Sequence, residues 1–336
     1  MTWIDENRVP AILTSVADFT LADGFKRTIT AEDSLAALVV SHLMKAMQLQ
    51  SATNPGTAKS ATTGKARPSS DGSVHRRFTV VGDGNADIWI EDSHLDNFAE
   101  PFCPASVTYT GLKLSGPGSW ARPGPRDNPA LTCVLQPFEN DQMLAVQLMR
   151  LALTIAREAE TDGGLLIHGG LAEKKGQGVI LAGPGGIGKT TASSRLSSPW
   201  HSLSDDTSLV VSDKQGVYWA HPWPTWSRFM FGGPGGQWNV QNAVPLKAIF
   251  FLSQASEIRA ETMDRGKAIC RLLETVKEAS SLMSSRMFID EIRAHNLQRF
   301  DNACEIVRSV PCYDLRLSMT GAFWNEIERV QGWDRS

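Results

Sequence analysis

The chain has 336 residues, 42% hydrophobic and 21% charged, with a formal net charge of −3. This is the composition of an ordinary globular protein long enough for two domains, and its slightly acidic balance argues against nucleic acid as the main partner. No apolar run approaches the roughly 18 residues needed to cross a bilayer, and "MTWIDENRVPAIL" lacks the basic start and apolar core of a signal peptide, so a cytoplasmic location with no membrane partner is expected.

"TLADGFKRTIT" predicts a hairpin about Asp23-Gly24, and "AEDSLAALVVSHLMKAMQLQ" predicts a helix from apolar positions three and four apart. Residues 51–76 carry almost no large apolar side chain and are rich in Ser, Thr, Gly, Ala and Pro, so they read as a flexible linker or loop. Strand patterns resume at "RFTVVG", "ADIWIED", "SVTYTGLKL" and "LTCVLQP". A helix over residues 141–160 follows, with a stripe through Leu144, Leu148 and Leu151. "GLLIHGG" and "GVILAG" then read as two strands joined by the turn "AEKKGQ", a hairpin. The C-terminal third predicts a buried strand "LKAIFFLS", helices near 267–283 and 286–308, a strand "CYDLRLSM" and a short helix at "FWNEIERV". Strands and helices interleave from residue 141, so an α/β domain over 141–330 is expected, preceded by a smaller α+β region over 1–140.

Cys103, Cys133, Cys270, Cys304 and Cys312 are scattered and read as reduced packing residues, and His75, His201, His221 and His295 show no metal-ligand spacing.

The chemistry concentrates in "LAGPGGIGKTTASSRL". Gly183, Pro184, Gly185, Gly186, Ile187, Gly188, Lys189 and Thr190 fit the pattern G-x-x-x-x-G-K-[ST] between a buried strand and a helix-compatible segment. Small residues let backbone N–H groups converge on phosphate oxygens. Lys189 adds a point charge near the β- and γ-phosphates, and the Thr190 hydroxyl is placed for Mg²⁺. ATP or GTP with Mg²⁺ is the expected ligand.

Downstream, "HSLSDDTSLV" sets Asp205 and Asp206 at a strand end. One acid near such a loop serves Mg²⁺, and a second can take a proton from a hydroxyl nucleophile; a solvated turn is the alternative. Upstream, His168 reads either as a core residue or as a group that contacts phosphate or orients an acid. In "HPWPTWSRFMFGGPGGQW", a mobile segment carrying Arg228 and presenting Trp223, Trp226 and Trp238 stands against a loop whose tryptophans pack on the core.

Together, "IHGG…GVILAGPGGIGKTT…LSDDTSLV" resembles the bacterial HPr kinase/phosphorylase family, related in fold to ATP-dependent phosphoenolpyruvate carboxykinase. The resemblance covers residues 150–215 and continues loosely to 330. It implies a P-loop domain with a mixed sheet, Lys189 on the transferred phosphoryl, Thr190 and Asp205 on Mg²⁺, Asp206 as general base and His168 as the active-site histidine. Thr191 extends the nucleotide-binding loop, although the family continues with Ser and then Glu where this chain has Thr190-Thr191. Residues 221–238 offer no acid for the family's downstream metal-binding Glu. The layout is also similar to HPr-kinase-related proteins found beside peptide-modifying radical enzymes, including a SynChlorMet-type cassette. The resemblance implies an ATP-dependent kinase acting on a Ser or Thr hydroxyl of a small protein or ribosomal peptide, with cassette enzymes as partners. A nucleotide-binding regulatory or assembly subunit and a kinase for free serine are the alternatives, and a homo-oligomer is left open.

Overall fold

A computed structural model describes residues 16–50, 75–82, 130–135, 140–226, 236–280 and 289–333. Residues 51–74, the strands read at "ADIWIED" and "SVTYTGLKL", Cys103, Arg228 and residues 232–235 of the "GGPGG" stretch lie outside the described residues. The chain is mixed α/β and divides into two compact units: residues 1–20, 24–151 and 226–235, and residues 21–23, 152–225 and 236–336. The division falls inside one helix, between Leu151 and Ala152.

The first unit contains a four-stranded sheet in the order β1 (Val16–Thr20), β2 (Lys26–Ala31), β3 (His75–Gly82), β4 (Ala130–Leu135). β1 and β2 form the expected antiparallel hairpin, Val16 opposite Thr30, whereas β2, β3 and β4 run parallel. Helix α1 (Ser34–Met47) connects β2 towards β3 and buries Ala36, Val39, Val40, Leu43 and Met47, one face at helical spacing. Asp33 caps it, accepting from Ala36 N at 2.8 Å and from Gly82 N on β3. The linker reading ends too late, because β3 already begins at His75. Arg76, inside the span read as linker, is buried, its guanidinium 4.8 Å from the centre of the Phe25 ring.

Helix α2 (Asp141–Glu160) occupies the expected span and leads into the second unit. There, nine strands follow among the described residues: β5 (Leu165–Ile167), β6 (Gly169–Lys174), β7 (Gln177–Ala182), β8 (Trp200–Ser204), β9 (Ser208–Ser212), β10 (Tyr218–Pro222), β11 (Val244–Gln254), β12 (Arg259–Thr262) and β13 (Cys312–Leu317). The order is β5-β9-β10-β11-β7-β6-β8, with β13 also on β11 and β12 on β13. β7, β11 and β13 are parallel; the other pairs are antiparallel.

Period-two alternation divides the core. Ile180, Ala182, Ile249 and Phe251 join Leu272, Val276 and Ile306 of helices α4 (Arg265–Ala279) and α5 (Ile289–Ser309). Val179, Leu181, Phe250 and Leu252 join Ala192 of α3 (Lys189–Arg195) and Ile327 of α6 (Trp324–Gln331) on the other face. Strands buried on both faces read as continuous apolar runs, as β7 and β11 do.

The hairpin reading requires a correction. Residues 172–174 belong to β6, and the turn is only Lys175-Gly176, both with positive φ (52° and 76°), the backbone that a tight two-residue hairpin turn requires. "LLI" is a separate strand paired with β9, so His168 occupies the break between β5 and β6 rather than a hairpin strand.

Candidate active site

β7 ends at Ala182 and α3 begins at Lys189, so residues 183–188 form the loop between a central parallel strand and a helix. Gly186 and Gly188 have φ of 77° and 112°, which disfavour any side chain there, and a Cβ on either would meet nothing within 4 Å. The loop's glycine face is therefore open. The Lys189 ammonium is buried beneath it and donates to Gly183 O at 2.8 Å and Pro184 O at 3.1 Å. Burial lowers its pKa, opposed by the negative charges of Asp206 and Glu278. Thr190 and Thr191 are exposed on the first turn of α3.

Asp205 and Asp206 form the turn between β8 and β9. Ser208 Oγ donates to Gly169 O at 2.7 Å, and Leu171 N donates to Ser204 Oγ at 3.2 Å, fastening both ends of this turn to β6. Gly170 explains the second glycine of "IHGG". A Cβ there would come within 2.8 Å of Ser193 Oγ on α3 and 3.2 Å of Asp205 O. Strand, helix and acidic turn approach closely only because that side chain is missing.

His168 is held by its backbone as well. Its N–H donates to Thr275 O of α4 at 3.4 Å, and its carbonyl accepts from Gly183 N at 3.5 Å. Its ring spans two carboxylates, with Nε2 2.9 Å from Asp206 Oδ1 and Nδ1 2.6 Å from Glu278 Oε2. Each ring nitrogen is thus within hydrogen-bond distance of a carboxylate oxygen. Thr225 Oγ1 donates to the second Asp206 oxygen at 3.1 Å. Burial would raise the Asp206 carboxyl, but the bond and charge from His168, the Thr225 hydroxyl and the Lys189 charge outweigh it and hold it below the usual carboxylate range.

The expected residues Lys189, Asp206 and His168 thus share one locus beside the loop, and Asp205 is half-buried in the same turn. Glu278 and Thr225 are the members that sequence reasoning missed. Glu278 is a 40% exposed side chain on a polar helix face, with no local pattern to distinguish it. Thr225 lies within the Trp-rich stretch, where the tryptophans drew attention instead. Those tryptophans, Trp223, Trp226 and Trp238, are buried and offer no aromatic surface to a peptide.

Among the described residues, no group of three or more His, Cys, Asp or Glu is arranged to hold a metal ion, and no helix is long and apolar enough to cross a membrane. Cys133, Cys270, Cys304 and Cys312 are free thiols.

No curated protein matches the chain. The family model described as SynChlorMet cassette protein ScmC matches residues 131–331, from β4 to the end of α6 and more than half of the sequence. The chain belongs to the SynChlorMet cassette protein ScmC family.

Proposed function

We propose that this protein is an ATP-dependent phosphotransferase of the HPr kinase type. It would act on a Ser or Thr hydroxyl of a small protein or ribosomal peptide handled by its cassette. The observation that carries this reading is the contact of His168 with Asp206 beside an open glycine loop, with the Lys189 ammonium in electrostatic reach of the same carboxylate.

The residues present suit a bound polyphosphate. Lys189 is folded back on two loop carbonyls, which phosphate oxygens would replace, and a Cβ at Gly185, Gly186 or Gly188 would meet nothing within 4 Å. Mg²⁺ at phosphate sites commonly takes one or two protein ligands, the rest being phosphate and water, so Thr190 and Asp205 suffice without a protein-only cluster. When bound, ATP with Mg²⁺ supplies the electrophilic γ-phosphorus and offsets charge on its oxygens. Asp206 receives the acceptor's proton at Oδ2, while His168 holds Oδ1 and Glu278 holds His168. A carboxylate kept ionised is a modest base, which suits a loose transition state that asks little of the nucleophile.

A second reading, a nucleotide-binding assembly or regulatory subunit of the cassette, is favoured by that same depressed basicity. The discriminating experiment incubates the protein with γ-labelled ATP, Mg²⁺ and either the cassette peptide or free serine. Label in the peptide supports the kinase reading, and label in serine moves the substrate class. ATP binding without transfer to any acceptor supports the assembly subunit.

A further inference from the structure

Asp206 already carries a hydroxyl. Thr225 Oγ1 lies 3.1 Å from its Oδ2, inside the ~2.6–3.2 Å within which a general base must hold the proton it removes. The placement follows from strand pairing. β10 runs antiparallel to β9 with Pro222 opposite Ser208, and Trp223 N continues the ladder to Thr207 O at 3.1 Å. The chain therefore delivers Thr225 beside Asp206 as a consequence of register. Trp223 is fully buried just ahead of it, while Thr225 itself is only half-buried. Base, hydroxyl and the ammonium of the phosphate loop all fall within one unit, with hydroxyl and ammonium both acting on the same carboxylate.

We propose that Thr225 is itself an acceptor of this site, phosphorylated by its own chain; the proposal rests on the phosphotransferase reading above. Thr225 Oγ1 bonds to the γ-phosphorus of a nucleoside triphosphate. The bond from that phosphorus to the β–γ bridging oxygen breaks, its electrons leaving on the nucleoside diphosphate. The hydroxyl proton passes to Asp206 Oδ2 and from there to water. The product places a phosphate dianion against the Asp206 carboxylate, a like-charge contact that disfavours a further round. The modification is consequently self-limiting, and it occupies the position that an external hydroxyl would need.

The test uses the full chain, freed of prior phosphate by a phosphatase and incubated with γ-labelled ATP and Mg²⁺ without added acceptor. Label is located by peptide mass mapping. The expected result is label on Thr225, at most a single phosphoryl group per chain, accumulating at a fractional rate independent of protein concentration. Thr225→Ser retains the labelled site, Thr225→Val abolishes it, and Asp206→Asn slows it by about 10²–10⁴-fold. A wild-type protein that phosphorylates an added peptide but leaves Thr225 unlabelled overturns the proposal and leaves the phosphotransferase reading standing. Label that grows faster with protein concentration overturns transfer within one chain. ATP binding with no transfer to Thr225 or to any acceptor overturns both.

Discussion

His168 Nε2 and Asp206 Oδ1 meet at 2.9 Å across a sequence separation of 38, and on the ring's other side Nδ1 reaches Glu278 Oε2 at 2.6 Å across a separation of 110. The imidazole is thereby held between two carboxylates, and Asp206 keeps its charge despite burial. Each consequence of that relationship is measurable.

Removing the ring should release Asp206. In His168→Ala, burial acts on the carboxyl with less opposition, so its pKa rises from below the ordinary Asp value. Transfer at neutral pH should fall by on the order of 10²-fold through misplacement of the base, while circular dichroism shows a folded chain. The acid limb of the rate–pH profile, below the ordinary Asp range in the wild type, should move to higher pH. Equal activity per folded molecule would remove His168 from the site.

Glu278 pairs with His168 Nδ1 and adds negative charge near Lys189. Glu278→Gln keeps an acceptor for Nδ1 but removes the charge, so its loss of turnover should be smaller than that of His168→Ala, with ATP affinity little changed. Its side chain is 40% exposed, and thermal unfolding should barely respond. A loss equal to that of Asp206→Asn would mean that Glu278 touches the substrate directly.

The approach to His168 depends on a buried ion pair. Glu160, at the end of α2, accepts from Arg299 Nε at 3.0 Å and Nη2 at 3.3 Å, with His295 Nε2 at 3.2 Å. Asn302 Nδ2 donates to the carbonyls of Glu160 and Gly164 at 2.7 and 2.9 Å, fixing the entry into β5. Burial pushes the Glu160 carboxyl up, but Arg299 and His295 outweigh it and leave its pKa lowered. A lowered folded pKa contributes stability above the unfolded Glu value, and that stability is lost as pH falls through the folded value. Arg299→Ala should cost about 3–5 kcal/mol in denaturant unfolding at neutral pH by removing a charged partner of a buried carboxylate, and that cost should shrink as falling pH protonates Glu160. A change below 1 kcal/mol, on that roughly 3–5 kcal/mol scale, would show that the carboxylate finds another partner.

The parts of this site that are local in sequence were legible. The loop at 183–190 declares itself because its glycines, lysine and threonine are contiguous, and α2 does so because twenty residues hold one apolar period. The pair Asp205-Asp206 and the His168 segment stood out through short patterns flanked by apolar runs. Partners brought by tertiary register were not legible. The parallel pairing of β7 with β11 and of β11 with β13 spans long intervening segments that carry no mark of it. Glu278 and Thr225 reach Asp206 and His168 because α4 and β10 dock beside β5, β6 and β9, and no spacing in the chain records that.

The most direct test of the phosphotransferase account measures ATP affinity and phosphoryl transfer separately in Asp206→Asn. The substitution keeps the size and shape of the side chain and removes its basicity. Lys189→Ala, by contrast, should abolish nucleotide binding and transfer together, because in the proposed reaction the ammonium would hold phosphate throughout. By calorimetry, Asp206→Asn should bind ATP within a few-fold of wild type, and in single-turnover assays it should transfer phosphate to Ser or Thr about 10²–10⁴-fold more slowly. Transfer at the wild-type rate in Asp206→Asn would contradict the account.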